Sequence, residues 1–432
     1  MGRTGRGRPR LGAITIGVIF LLTFLLSRST AQLPNFNPDE SRWISRAHYL
    51  ADLGDPFGPT WDDQYMTRGQ PPFGSYVTGA GLLLHGRDLT TNPPWDFSLT
   101  WEENLAIGNK PVPADLQAAR SMSAILTALT SVVLVGIASV YVPYPWALLA
   151  GVIFALHPFS RYIGALATAD AIFGLLIALA ALAMARFARD YAWQWAVVTG
   201  VLLGLGGATK LSPLGVAAGL SGLALLLVLL PAGAIPGVER GRNVGARGLL
   251  IGLAAGVTFI AVYPYLWPNP IDRTINLFTF RMVEMATQAS DWPVMAVPNR
   301  LEAIQRTGLN FSERYSIMGS LADAADLRVP RFILQVEVLL AVAGIGVMAR
   351  DAVRAGWLSA KFLVLAVLGG QVIVTILGMR SEFDRYHLPA ALLGAVATCV
   401  ALYAIACGVR QWFSSWRADQ QAPARERMVV RG

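Results

Sequence analysis

The sequence predicts an all-α polytopic membrane protein of about ten transmembrane helices, with two long extracytoplasmic loops that carry short surface helices. Three observations lead there. Of 432 residues, 54% are hydrophobic and only 14% charged, whereas a soluble domain carries about 25% charged residues. Mean hydropathy is +0.49. The apolar residues also collect in long runs, and Lys and Arg gather in every second joint between them. A plain soluble enzyme is excluded.

Runs able to cross the hydrocarbon core need about 17 to 25 residues. The candidates are 11–27, 121–142, 144–160, 170–187, 193–208, 213–231, 248–266, 332–349, 361–379 and 389–409. The first has an alternative as a cleaved signal peptide, since Ser29-Thr30-Ala31 resembles a small-residue cleavage site. Its apolar core exceeds the usual signal length, which favours an uncleaved anchor. The run 73–84 is too short to span and fits a re-entrant or interfacial helix.

Orientation follows from the enrichment of Lys and Arg in short cytoplasmic loops. With both termini inside, the cytoplasmic segments hold 17 basic and five acidic residues, and the outer segments 18 basic and 21 acidic. Glu337 lies within a span. The formal charge of +8 and sequence pI of 9.7 are therefore a topology signal and do not point to nucleic acid. Counting 73–84 as a span would put the later basic loops on the wrong side.

The chain divides accordingly. A basic N-terminus and first anchor (1–27) precede an outer loop (28–120), six spans (121–266), a second outer loop (267–331), three spans (332–409) and a basic tail (410–432). Loops this long usually have a role. Helical periodicity appears at 41–53, with Trp43, Ile44, Ala47 and Leu50 on one face, and at 271–289. Cys399 and Cys407 are eight residues apart in one apolar run, about 12 Å along a helix and outside disulfide reach.

Residues fitted for chemistry lie on the outer side. Asp39 and Glu40 are adjacent carboxylates, one of which mutual repulsion would raise toward a proton acceptor. The competing reading makes Asp39 a helix N-cap with Glu40 in the first turn. Asp170, after Thr168, opens an apolar helix as a cap or a functional acid. Lys210 lies between two spans, where a lone lysine usually reaches for lipid headgroups. Arg385 and Tyr386 precede the last span, where an arginine suits an anion, either of the bilayer or of a substrate. Arg68 opens Arg68-Gly69-Gln70-Pro71-Pro72, an ordinary loop-to-helix start taken alone. Glu337 is costly within a span and needs partners, for which Gln335 and Arg331 are near in sequence. The histidines have no metal-ligand spacing.

The order of these signals resembles the polyprenyl-phosphate-dependent integral-membrane glycosyltransferases of the GT-C class, in the protein O-mannosyltransferase and lipid A aminoarabinose transferase family. The similarity rests on the Asp39-Glu40 pair, the Pro71-Pro72-Phe73 entry, the turn ending His157-Pro158, Thr168-Ala169-Asp170, the glycine-rich run ending Thr209-Lys210, and Arg385-Tyr386-His387-Leu388-Pro389. It implies Asp39 as general base, Glu40 as its neighbour and Asp170 as a second acidic site. It assigns the donor phosphate to Arg68, Lys210, Arg385 and Tyr386. The family's basic residue before Pro-Pro is replaced by Gln70.

The expected activity is transfer of a sugar from a polyprenyl-phosphate donor to a protein, lipid or glycan acceptor at the extracytoplasmic face of the cell membrane. A lipid phosphate departs as a stable anion, so one base and a cationic cradle suffice, whereas a glycosidase needs two carboxylates. A single displacement inverts the anomeric centre. No cofactor is assigned, and carboxylates beside a phosphate are compatible with a divalent metal. The alternatives are a secondary transporter or lipid flippase, which would place binding residues at the bilayer midplane, and a non-catalytic scaffold.

Overall fold

The computed structural model describes residues 8–30, 35–62, 70–90, 92–230, 238–310 and 314–429. Among these the regular structure is helical, apart from one isolated antiparallel bridge between Ala296 and Ser381. The helix assignments of the sequence hold for all ten apolar runs, which fall in Arg8–Thr30, Pro113–Ala138, Tyr144–Leu156 with Pro158–Ala165, Asp170–Asp190, Trp193–Gly207, Ser212–Leu229, Val238–Ala261, Arg331–Ala355, Ala360–Gly378 and Leu388–Val429.

Two of the ten depart from the expected spans. Eight helices of the described residues are long and apolar enough to cross a membrane, and nine if a bent pair counts as one. The bent pair is Tyr144–Leu156 with Pro158–Ala165, at 60°. Pro158 lacks an N–H and pushes its predecessor out of the helical region, so His157 takes φ −64° and ψ 122° and accepts from Phe159 N–H with its ring. Trp193–Gly207 has 15 residues, about 22 Å against a core of about 30 Å.

That short helix is nonetheless firmly packed. A Cβ at Gly200 would lie 2.5 Å from the Ile251 carbonyl oxygen, and one at Gly204 2.6 Å from that of Ala255. The two glycines, one turn apart, let the backbones of Trp193–Gly207 and Val238–Ala261 touch, the small-residue mode of helix association in lipid. Gly204→Val is expected to separate the pair and to lower the apparent melting temperature of the purified protein, with a loss of stability of about 1–3 kcal/mol.

Successive helices turn back on one another, which brings residues distant in sequence together. Asp170 begins one helix and Lys210 follows the next, and the two side chains meet, so Asp170–Asp190 and Trp193–Gly207 form a hairpin with both site ends together. Gln371 donates to Ser212 Oγ at 2.8 Å, tying the next helix to Ala360–Gly378. The run 73–84 forms the helix Phe73–Leu84, shorter than the spans and packed on Pro113–Ala138. Its Phe73 N–H donates to Ala208 O at 2.8 Å, and Tyr76 Oη to Val262 O at 3.1 Å. Both cysteines are free.

The surface helix expected at 41–53 is shorter and interrupted: Pro38–Ser45, a tight turn over Arg46–His48, then Tyr49–Asp52. Trp43, Ile44 and Ala47 are buried as the periodicity required. The helix expected at 271–289 is Pro270–Asp291, with Ile271, Ile275 and Met282 exposed.

Candidate active site

The first acidic pair is sorted by a helix start. Asn37 is the N-cap of Pro38–Ser45, not Asp39 as the capping alternative supposed: its side chain accepts from Asp39 N–H at 2.9 Å, and its own N–H donates to Glu40 Oε2 at 2.8 Å. Pro38 takes the first helical position, where its missing N–H costs nothing. This reciprocal capping box turns Glu40 inward and leaves the Asp39 carboxylate outside it.

Glu40 is fully buried. Arg120, within Pro113–Ala138, forks onto both its oxygens at 2.8 and 2.7 Å, and Ala167 N–H donates to Oε1 at 2.8 Å. Ala167 lies three residues before Asp170. A carboxylate with its acceptor sites filled is poorly placed to take up another proton, but it clamps three segments together.

Asp39 instead forms an ion pair with Arg385. Asp170, 3% exposed at its side chain, pairs with Lys210 and accepts from Thr168 Oγ1 at 2.8 Å. Lys210 also sits over the rings of Phe173 and Tyr386, at 5.3 and 5.8 Å. Lys210 and Arg385 are thus held by carboxylates rather than stretched toward lipid headgroups. Asp39, Asp170, Lys210, Arg385 and Tyr386, 347 positions apart at the extremes, are brought into one constellation. Gly74 secures the approach: a Cβ there would fall 2.5 Å from the Ala169 Cβ.

Two cavities meet at these ion pairs. The first, about 360 Å³, is bounded by Lys210, Arg281 and Arg385 among largely apolar walls such as Phe278, Met282 and Val374. The second, about 380 Å³, is bounded by Asp39, Thr168, Glu382, Asp384 and Arg314. Asp170 and Arg385 line both. One side is an apolar slot with cations, the other a polar bowl with carboxylates.

The rim of the second cavity is a charge network. Glu382 meets His387 Nε2 at 3.1 Å and Arg306 at 3.3 Å, and Asp384 accepts from Arg314 at 2.6 Å and Tyr315 Oη at 2.7 Å. The hydrogen bond from His387 holds the Glu382 carboxyl below its usual pKa, against the effect of burial. A carboxyl depressed in the folded state stabilises it above its unfolded pKa of about 4.3 and loses that contribution as pH falls through the folded value. Proteolysis or hydrogen exchange at 380–384 is therefore expected to rise below about pH 4.3 in wild type, and Glu382→Gln should expose the loop at neutral pH.

Glu337 finds partners other than those nearest in sequence. It accepts from Ser316 Oγ at 2.9 Å, Ile317 N–H at 3.0 Å and Met318 N–H at 2.6 Å, capping the positive end of the helix Ile317–Ala324.

Sequence reasoning missed Arg120, Arg46 and Arg281. Arg120 closes the 28–120 loop in the sequence division; the signal that places it inside a helix is Pro113 at the helix start. Arg46, 1% exposed, donates to the Gln70 side-chain oxygen and backbone carbonyl. Burial holds its guanidinium below the usual pKa. Arg281 bonds to Glu284 at 2.5 Å and approaches Tyr386 Oη at 3.5 Å. Arg68 lies outside the described residues. Among the described residues, no group of three or more His, Cys, Asp or Glu could hold a metal ion.

Residues 106–263 match the family model described as dolichyl-phosphate-mannose-protein mannosyltransferase. The fold is similar to that of ArnT from Cupriavidus metallidurans, solved bound to undecaprenyl phosphate: 17% identity, TM-score 0.53, covering 92% of this chain and 60% of ArnT. It is similar also to the Archaeoglobus fulgidus oligosaccharyltransferase, solved tethered to an acceptor peptide: 12% identity, TM-score 0.54, covering 94% of this chain and 51% of that one. No curated protein matches the chain. The chain thus spans between half and three fifths of the length of these solved structures. The resemblance read from the sequence thus recurs in the matched segment, 106–263, and in a fold similar to these membrane proteins.

Proposed function

We propose that the protein transfers a sugar from a polyprenyl-phosphate donor to an acceptor hydroxyl or amine on the extracytoplasmic side, with both termini in the cytoplasm. The observation that carries this reading is the junction of the two cavities at Asp39–Arg385 and Asp170–Lys210. The apolar slot suits the lipid chain, with Lys210 and Arg385 at its head for the phosphate. The polar bowl suits the acceptor.

Asp39 lies where an acceptor in the bowl would approach a sugar held at the junction. It removes the acceptor proton as the acceptor oxygen or nitrogen bonds to the anomeric carbon, and the bond from that carbon to the phosphate oxygen breaks. The lipid phosphate keeps the bonding electrons. Arg385 and Lys210 neutralise it, trading a carboxylate for a phosphate oxygen, a charge-assisted contact of similar kind. As Arg385 turns to the phosphate, Asp39 is released to act as base. Asp170 stays beside Lys210 and favours positive charge developing at the sugar ring. Glu40 is a positioning residue, holding Asp39 through Asn37 and Asp170 through Ala167.

Purified protein in nanodiscs, given polyprenyl-phosphate sugars and an acceptor panel, is expected to release polyprenyl phosphate only when acceptor is present, with the anomeric centre inverted. Failure with every donor would favour a lipid carrier or scaffold. The charge partition predicts that a cysteine placed in the 267–331 loop is labelled from outside the cell and one in the 410–432 tail is not.

A further inference from the structure

Beside the proposed donor slot stands a cation that the mechanism above does not use. Arg46 is 1% exposed, and among the described residues no carboxylate pairs with it. Its guanidinium lies over the rings of Trp43 and Tyr49, at 5.1 and 5.3 Å, and its Nε has no partner there. Around it packs an aromatic cluster that includes Tyr49, Trp61, Tyr76, Tyr263 and Tyr265. Burying a charge away from water costs several kcal/mol, and the described contacts that offset it are the two aromatic faces, Tyr49 among them, and Gln70.

What Arg46 does grip is Gln70. Two of its nitrogens donate to that residue, one to the side-chain oxygen and one to the backbone carbonyl. Gln70 in turn lines the first cavity together with Trp43, Asp170, Lys210 and Arg385. An amide has one oxygen and one NH₂ group. With the oxygen turned to a guanidinium, the end of the amide left to face elsewhere is its NH₂, a donor.

We infer that Arg46 is a positioning residue that fixes Gln70 as a hydrogen-bond donor to the anionic head of the ligand in the apolar slot. The bond from a cation to the amide oxygen also strengthens the amide as a donor. A second contribution is electrostatic. The Arg46 charge, shielded from water behind Gln70, adds positive potential at a head already flanked by Lys210 and Arg385. The arrangement selects for an anion: a carboxylate at position 70 would be neutralised by Arg46 and would present no donor, while an apolar side chain would leave Arg46 only the backbone carbonyl of residue 70.

This inference rests on the donor reading above, and the test separates the two. Binding of a polyprenyl phosphate and of the matching polyprenyl alcohol is measured by titration to the purified 432-residue chain in detergent, with melting temperature as a check on folding. Wild type is expected to prefer the phosphate. Gln70→Leu should cut that preference about tenfold, the effect of one lost hydrogen bond to a charged group, and Gln70→Glu by more. Arg46→Met should cut the preference at least as much as Gln70→Leu does, and the double variant should lose no more than Arg46→Met alone. A merely structural Arg46 would instead change phosphate and alcohol binding alike and add to the effect of Gln70→Leu. A preference that is intact in folded Gln70→Leu and Gln70→Glu overturns the inference alone. No preference in wild type overturns the donor reading and the inference with it.

Discussion

Asp39→Asn is expected to lower turnover by about 10²–10⁴-fold, the range for loss of a positioned general base, while the protein folds and binds lipid phosphate as before. The reasons are geometric. The Asp39 carboxylate is 30% exposed at its side chain and its partner Arg385 23%, so asparagine removes a base and the arginine left behind still reaches solvent. The helix start that carries it is capped by Asn37 and Glu40 and does not depend on the Asp39 side chain. Asparagine also leaves Arg385 without its carboxylate, so binding of the leaving lipid phosphate should be unchanged or tighter. Undiminished turnover in Asp39→Asn would remove Asp39 from the base role and turn attention to Asp170.

Glu40→Gln should fail in the opposite manner. It is expected to destabilise the fold by about 3–5 kcal/mol, because breaking one partner of a buried pair leaves an uncompensated charge, here Arg120 at 3% exposure. The Glu40 oxygens receive donors from Arg120, Asn37 and Ala167, and a glutamine cannot accept all of them with its single oxygen. The readout is the apparent melting temperature in detergent, together with activity per folded molecule. A large fall in melting temperature with near-normal activity in the surviving folded fraction identifies Glu40 as structural. A stable Glu40→Gln that is inactive would return it to the catalytic group. The two neighbouring carboxylates thus separate on measurement: one change removes chemistry, the other removes the fold.

Much of the architecture was legible because membrane helices declare themselves through local composition. The ten apolar runs became helices, and Trp43, Ile44 and Ala47 were buried as their spacing required. The misses have physical causes. A window of hydropathy does not register that Pro158 breaks the helix before it, so 144–160 was expected as one span and is bent by 60°. Nor does it weigh two glycines that let a 15-residue helix pack backbone to backbone. The boundary near 121 hid the most consequential charge, because Arg120 lies well inside a helix that starts at Pro113.

The site was legible as a set of residues but not as a set of bonds. Asp39, Asp170, Lys210, Arg385 and Tyr386 could be named from motifs, yet nothing in their spacing says that Asp39 meets Arg385 while Glu40 meets Arg120. Adjacent carboxylates are equivalent in a sequence. They become different when a capping box rotates one inward and one outward.

The sequence alone therefore determined the solvent, the helices and which residues are candidates for chemistry, since burial in lipid and the cost of moving charge across it act on each segment separately. Only the tertiary structure decided which carboxylate is available, which is locked, and that Gln70 stands before a buried arginine. Those outcomes depend on pairings between residues as far apart as Asp39 and Arg385. Such pairings are fixed by how helices pack, and packing energy belongs to surfaces that no single segment contains.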